Sequence, residues 1–150
     1  MPRRGFELTV KMREDLMVAY RSVYATCHSQ EEAWEKTRMQ PAPRYYVSPK
    51  RAYLVLSGMV QGDFTKVDAL PDLKRRMFYD LLTNVNDLSQ RKEFMGKSLW
   101  FLCQFVVTRP APEFYISTEA LKKAINCSKK YGKNYHHNQI FGKLANKAGD

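Results

Sequence analysis

One eight-residue segment occurs twice in this chain, and this duplication constrains the fold more than any other feature. Residues 41–48 read Pro-Ala-Pro-Arg-Tyr-Tyr-Val-Ser, and residues 110–117 read Pro-Ala-Pro-Glu-Phe-Tyr-Ile-Ser. Five of the eight positions are identical, and two others exchange Tyr for Phe and Val for Ile. The two PAP segments, as we call them, lie 69 residues apart in a chain of 150. We therefore interpret the chain as two divergent copies of one supersecondary unit.

The first copy predicts three helices. Apolar residues at three- and four-residue steps predict a helix over residues 8–24. Ser29 with Glu32 three residues later is a capping-box pattern, which starts a second helix. Ser48 followed by Pro49 starts a third, because the hydroxyl caps the helix and proline at its first position loses no needed N–H. The expected order is helix, helix, stiff PAP segment, helix.

The second copy follows the same plan. Residues 68–71 start a helix with an apolar face, and Ser117 is the expected cap of the last helix. Residues 99–107 form a short apolar run, which by itself is compatible with a buried strand or a helix. The corresponding segment of the first copy is a helix, so the duplication favours a helix here as well.

Three helices with a capped, basic third helix resemble the trihelical helix-turn-helix class of DNA-binding modules. We therefore predict an all-α fold of two tandem, divergent trihelical units that pack together. The first unit spans residues 1–64 and the second residues 65–132. Residues 133–150 are predicted to form a basic C-terminal tail.

The side chains of the PAP segments have two possible roles. Tyr45 and Phe114 could stack on bases or hold a partner, or the aromatic rings could fill the core beneath the prolines. The conservative exchanges between the copies favour packing. The residues expected in the core are Tyr46, Tyr115, Val47 and Ile116. The one position that changes charge, Arg44 in the first segment and Glu113 in the second, is expected to face solvent.

The charge balance indicates an anionic partner. The chain has 25 Lys and Arg against 15 Asp and Glu, a net charge of +10, which is typical of nucleic-acid-binding proteins. Residues 122–150 alone hold seven lysines and one acidic residue. The alternative is a solvated lysine surface with no ligand. The residues predicted to contact nucleic acid are Arg44, Lys50, Arg51, Tyr53, Lys122, Lys123, Lys129, Lys130 and Lys133.

Other function classes find no support in the sequence. The three cysteines have no Cys-x-x-Cys spacing, so neither a disulfide framework nor a zinc site is predicted. There is no glycine-rich phosphate loop, nucleophile elbow or HExxH motif. The longest apolar run is too short to span a bilayer, and no apolar stretch follows the N-terminus. We expect a protein that is not an enzyme, binds no metal or cofactor and is not a membrane protein.

The first PAP segment is similar to the Pro-Ala-Pro-Arg-Phe/Tyr-Tyr-Val-Ser motif of small uncharacterised proteins from tailed phages and mobile elements of gut bacteria. The matching residues are Pro41, Ala42, Pro43, Arg44, Tyr45, Tyr46, Val47 and Ser48. The resemblance implies a phage-related protein of the bacterial cytoplasm or the virion, with nucleic acid and phage or host proteins as partners.

Together these features predict a non-enzymatic nucleic-acid-binding protein that contacts the backbone of double-stranded DNA, with DNA favoured over RNA. It would be a phage-related regulator or a genome-associated protein. The alternative is a virion structural or assembly protein, or an adaptor, that contacts proteins and does not bind nucleic acid. An inhibitor of a host enzyme is a third alternative. Either of the first two could be a homo-oligomer.

Overall fold

The computed structural model describes residues 4–131 of the chain and the side chains of residues 8–126. Within this part the protein is all-α, as predicted, with a short 3-10 helix at Lys92–Phe94 and no β-strand. The α-helices are α1 (Arg4–Tyr24), α2 (Gln30–Arg38), α3 (Pro49–Val60), α4 (Thr65–Asp68), α5 (Asp72–Ser89), α6 (Leu99–Val106) and α7 (Thr118–Tyr131). The predicted tail, residues 133–150, lies outside the described residues.

Serine hydroxyls start four of these helices. Ser29, Ser48, Ser98 and Ser117 precede α2, α3, α6 and α7. Each hydroxyl accepts a 3.1 Å hydrogen bond from the backbone N–H three residues further on, which satisfies one of the donors left open at a helix start. Ser29 and Ser98 are 69 residues apart, as are Ser48 and Ser117. The duplication therefore extends from the PAP segments to the helices on both sides.

Burial follows the same 69-residue offset. Leu16 in α1 and Val85 in α5 are both buried, and so are Leu56 in α3 and Ile125 in α7. The run at residues 99–107 is helical, as the duplication predicted, and it forms α6. The two copies thus bury equivalent positions of equivalent helices.

The helices form two compact units, and each unit contains helices from both copies of the repeat. Unit 1 contains α1, α2 and α7, and unit 2 contains α3 to α6. In unit 1 the three helices contact one another, and in unit 2 α3 packs on α5 and α6. Each copy thus supplies its third helix to the unit built from the first two helices of the other copy. This is an exchange of equivalent elements within one chain, as in domain swapping.

This grouping does not confirm the tandem division at residues 64 and 65. The chain passes from unit 1 to unit 2 after Gln40 and returns before Ile116. Both crossings occur at a PAP segment, where stiff prolines replace helix. The PAP segments are therefore the connections through which the third helices are exchanged.

The PAP segments pair with each other in unit 2. Ala42 and Ala111 form an isolated antiparallel bridge. The N–H of each alanine donates a hydrogen bond of 2.9 Å to the carbonyl oxygen of the other. Because the same position of each copy is used, the bridge relates the two segments by a local two-fold axis.

Aromatic stacking extends this pairing. The ring centroids of Tyr45 and Tyr115 are 6.1 Å apart, and those of Tyr46 and Phe114 are 5.9 Å apart. The fifth residue of each segment therefore faces the sixth residue of the other. Tyr45 and Phe114 are buried, so the alternative in which these two rings stack on bases is not compatible with this structure.

The predicted core of the PAP segments is only partly correct. Tyr115 and Val47 are buried, as expected, whereas Tyr46 and Ile116 are half-buried. Tyr115 also adopts a left-handed backbone conformation with φ of 54°, which is rare for a residue with a bulky side chain. Burial in these segments thus depends on the partner segment, which sequence periodicity does not reveal.

The expectation that Arg44 and Glu113 face solvent is wrong. Glu113 is only 8% exposed, and its carboxylate accepts hydrogen bonds from Nε and Nη2 of Arg76 at 3.1 and 2.7 Å. Arg44 is half-buried, and its guanidinium donates to the carbonyl oxygens of Tyr45 and Val47. Both charged groups have hydrogen-bond partners within unit 2. These partners offset the cost of removing a charge from water, so neither group has to face solvent.

Candidate nucleic-acid interface

The start of α3 presents two of the predicted contact residues. Ser48 and Pro49 begin the helix, and its first turn contains no acidic residue. Lys50 and Arg51 follow, and both are exposed. The N-terminus of a helix carries a partial positive charge that attracts anions. The two cations and the helix start therefore all contribute to the attraction of an anion to this place.

Arg51 is held in place by an aromatic ring of α5. Its guanidinium carbon lies 6.0 Å from the centroid of the buried Phe78 ring, within the range of a cation–π contact. This contact restrains the guanidinium from one side while the residue as a whole stays exposed. Its charge is thus available to a ligand.

Tyr53 connects the start of α3 to the start of α6. Its ring meets that of Trp100 edge to face, with centroids 5.7 Å apart and an interplanar angle of 85°. Trp100 is the second residue of α6, two residues after the Ser98 cap, and α6 contains no acidic residue. Two serine-capped helix starts without acidic residues therefore adjoin each other in unit 2.

The exposed face of α6 is aromatic. Seven of the eight residues of α6 are apolar, yet only Leu102, Cys103 and Val106 are buried. Trp100 and Phe101 remain 42% and 41% exposed, which is unusual for such large apolar side chains. The α3–α6 surface, as we call it, consists of Lys50, Arg51, Tyr53, Lys97, Trp100 and Phe101.

Lys97 completes this surface. Its Nζ lies 5.0 Å from the centroid of the Phe101 ring, a cation–π distance. Phe101 also contacts Phe94, with ring centroids 6.4 Å apart. The sequence prediction did not include Lys97, Trp100 or Phe101. The sequence nevertheless indicated exposed apolar residues in this segment. A short helix with apolar residues on every side cannot bury all of its side chains in a domain of this size.

The other predicted residues have different environments. Arg44 is bound to carbonyl groups of its own PAP segment. Lys122 is half-buried in unit 1, with Nζ 4.7 Å from the centroid of the Trp34 ring, and Lys123 beside it is exposed. Lys129 and Lys130 belong to α7, but their side chains lie outside the described part, as does all of Lys133.

A polar cluster on α5 holds the PAP segments together. Asp80 accepts a hydrogen bond from the Tyr115 hydroxyl, and the side-chain amide of Asn84 donates to the Tyr45 hydroxyl. With Arg76, these residues recur every four positions on one face of α5. Burial raises the pKa of both tyrosines, so both phenols are protonated near neutral pH. The cluster satisfies two buried hydroxyl groups, which is a structural role.

A depression of about 410 Å³ lies beside this cluster. Its lining residues are Tyr45, Asp80, Thr83, Asn84, Pro110, Ala111 and Pro112. The only charged group among them is a carboxylate, which would repel phosphate. For an anionic ligand the α3–α6 surface is therefore the better candidate.

Comparisons with known proteins found no match, so the proposal for the function is based on the α3–α6 surface. Within residues 4–131, no helix combines the length and the apolar character needed to cross a membrane. No protein-family model matches the chain, and no curated protein or solved structure is significantly similar to it.

Proposed function

We propose that this protein binds nucleic acid through backbone phosphates and is not an enzyme. The observation that carries the proposal is the contact between Tyr53 and Trp100. This contact places two helix starts without acidic residues side by side, together with the cations at positions 50, 51 and 97. The arrangement supplies backbone N–H groups, helix dipoles and positively charged side chains for phosphate oxygens.

The charge distribution within unit 2 supports this proposal. Residues 41–62 and 94–112 contain five basic residues and no acidic residue. These two stretches include α3 and α6, so an approaching phosphate meets no carboxylate of either helix. In a field of one sign, a charged ligand is attracted before contact is made.

DNA is the proposed ligand because the capped, basic third helix resembles that of trihelical helix-turn-helix modules, which bind duplex DNA. The resemblance of the first PAP segment supports a phage-related setting, in which the protein would act as a regulator or genome-associated protein in the bacterial cytoplasm or the virion. Lys122 and Lys123 in unit 1 are proposed as further phosphate contacts.

A salt titration tests this proposal. The affinity of the protein for a fluorescein-labelled 20-base-pair duplex is measured by anisotropy between 50 and 200 mM NaCl. If three phosphates are contacted, the affinity falls roughly 40-fold over this range, because each neutralised phosphate releases counterions. Absent binding to both this duplex and a 20-nucleotide single strand, or binding that does not respond to salt, would contradict the proposal.

The second candidate is a protein-interaction adaptor or a virion assembly protein. Exposed apolar side chains favour it, since Met95, four residues before the start of α6, is 66% exposed, and Trp100 and Phe101 of α6 are exposed as well. Such groups are common at protein interfaces. Size-exclusion chromatography with and without DNA separates the two candidates. A stable homo-oligomer that ignores DNA supports the adaptor, and a monomer that elutes with DNA supports nucleic-acid binding.

A further inference from the structure

We infer that the α3–α6 surface prefers single-stranded over double-stranded nucleic acid, with a base stacked on Trp100 and the flanking phosphates held by Lys50, Arg51 and Lys97. This inference rests on the proposed function and deepens it. Phosphate contacts alone hold either form of nucleic acid. The exposed indole adds a contact that only an unpaired base can make.

The exposed indole of Trp100 is the group that can contact a base. Large aromatic side chains are usually mostly buried, yet Trp100 is 42% exposed, three residues after Lys97. In a duplex the faces of the bases are stacked on one another, so a ring on a protein surface cannot reach them. In a single strand the bases are free, and stacking on an aromatic side chain stabilises binding.

The neighbours of Trp100 hold the indole in place. The edge-to-face contact with Tyr53 fixes it from the side of α3. Phe101 is less suited to stacking, because Lys97 Nζ already lies 5.0 Å from the centroid of its ring. We therefore assign stacking to Trp100 and a phosphate contact to Lys97.

Charge complementarity identifies the occupant. Neither α3 nor α6 contains an acidic residue, and Glu93 is the only acidic residue among residues 89–109, against four basic ones. A second copy of this chain would bring the same positive charges to the same place, and like charges repel. A polyanion with flat, apolar rings satisfies both the cations and the indole.

Variants at Trp100 separate stacking from general apolar contact. Trp100→Phe keeps a flat ring, whereas Trp100→Leu keeps only apolar volume. Phe64→Leu is the matched control, because Phe64 is a similarly exposed ring in the same unit that stacks on Tyr79 instead. Circular dichroism spectra and thermal unfolding confirm that each variant is folded.

The ligands are labelled dT20 and a 20-base-pair duplex, measured by anisotropy at low salt. Trp100→Leu should lower the affinity for dT20 by on the order of tenfold to a hundredfold, the effect of losing one stacked base. Its affinity for the duplex, and both affinities of Phe64→Leu, should stay within twofold of the wild type, about the size of a neutral surface change. Trp100→Phe should retain most of the affinity for dT20.

The possible failures are distinguishable. If the wild type binds the duplex as tightly as dT20, or if Trp100→Leu leaves dT20 binding unchanged, the stacking inference is overturned and salt-dependent binding can still stand. If neither form binds, both proposals are overturned. If Trp100→Leu leaves dT20 unbound and also abolishes duplex binding, Trp100 does not act by stacking on unpaired bases, and the inference again fails.

Tryptophan fluorescence provides an independent measurement. The chain has two tryptophans, and Trp34 is only 8% exposed. Binding of unlabelled dT20 should quench the emission of the wild type, because a stacked base contacts the indole. The quenching should disappear in Trp100→Phe although dT20 still binds. Binding of dT20 to the wild type without quenching would contradict stacking on Trp100.

Discussion

Ala42 and Ala111 exchange both of their backbone hydrogen bonds, although 69 residues separate them in the chain. Each is the second residue of its PAP segment. The duplicated segments are therefore partners in the fold, and each occupies a crossing between the two compact units. The two copies of the repeat are thus similar in sequence and are also in direct contact with each other.

Cleavage of the chain between α3 and α4 should leave two fragments that stay associated. One fragment carries α1 to α3 and the other α4 to α7, and each compact unit requires helices from both. A protease site can be inserted after Gly62, which is exposed and has a φ of 87°, a conformation that suits a turn. Size-exclusion chromatography of the cleaved protein is the measurement.

The control for this experiment is chromatography of the same sample in 8 M urea, where the fragments should separate. If the fragments separate under native conditions and each is folded, the third helices are not exchanged, and the tandem division at residues 64 and 65 is correct instead.

Helix starts were the part of the fold that the sequence predicted best. The hydroxyls of Ser29, Ser48 and Ser117 cap helices as expected, because capping depends on residues within one turn. The exchange of third helices was not predicted, since the pattern of apolar residues within a helix does not specify which neighbouring helix it contacts. The environment of Glu113 was wrong for a similar reason, because its partner Arg76 is 37 residues away.

The candidate site was predicted in part. Lys50 and Arg51 are exposed at a capped helix start, which local sequence rules anticipate. Trp100 was not identified, because nearly every position of α6 is apolar and periodicity then marks no single face. A helix of this kind reveals its exposed side only when its neighbours are known.

Tyr45→Ala should destabilise the protein by about 3–5 kcal/mol, the usual effect of truncating a buried aromatic side chain. Tyr45 is fully buried, stacks on Tyr115 and accepts a hydrogen bond from Asn84. The measurement is unfolding in urea followed by circular dichroism. Tyr24→Ala, at a tyrosine that is 55% exposed, is the control and should change the free energy of unfolding by less than about 0.5 kcal/mol. Equal effects of the two variants would show that the pairing of the PAP segments contributes little.

The free energy of unfolding should fall at alkaline pH. Burial raises the pKa of Tyr115, and the hydrogen bond to Asp80 and that carboxylate's charge raise it further. Burial also raises the pKa of Tyr45. Because the folded-state pKa lies above the unfolded value of about 10, this stabilisation is complete below pH ~10 and is lost as the pH rises above it.

Urea unfolding between pH 8 and pH 11.5 measures this effect. The double variant Tyr45→Phe/Tyr115→Phe should lose less stability between pH 9 and pH 11 than the wild type, since it lacks the two buried phenols of the PAP segments. Tyr24→Phe should follow the wild-type profile. If the double variant and the wild type lose stability equally, the alkaline change arises elsewhere in the chain.

Cys103 should react slowly with thiol reagents. It is fully buried in α6, and burial raises its pKa to about 11, so little of the reactive thiolate is present at pH 8. In the variant Cys27→Ser/Cys127→Ser it is the only thiol. Its reaction with an aromatic disulfide reagent should be slow in buffer and immediate in urea. Immediate reaction in buffer would mean that α6 opens readily, and the α3–α6 surface would then not be a fixed platform.

The most direct test of the account is the effect of reversing the two charges at the start of α3. Affinity for labelled 20-nucleotide DNA, single-stranded and duplex, is measured by anisotropy for the wild type and Lys50→Glu/Arg51→Glu between 50 and 200 mM NaCl. The matched control is Lys66→Glu, an exposed lysine of the same unit that lies on α4, after the other end of α3. We expect the double variant to bind at least tenfold more weakly, with a salt slope lower by about 2, one for each lost phosphate contact. Lys66→Glu should bind as the wild type does. Wild-type affinity and salt slope in the double variant would contradict nucleic-acid binding by the α3–α6 surface.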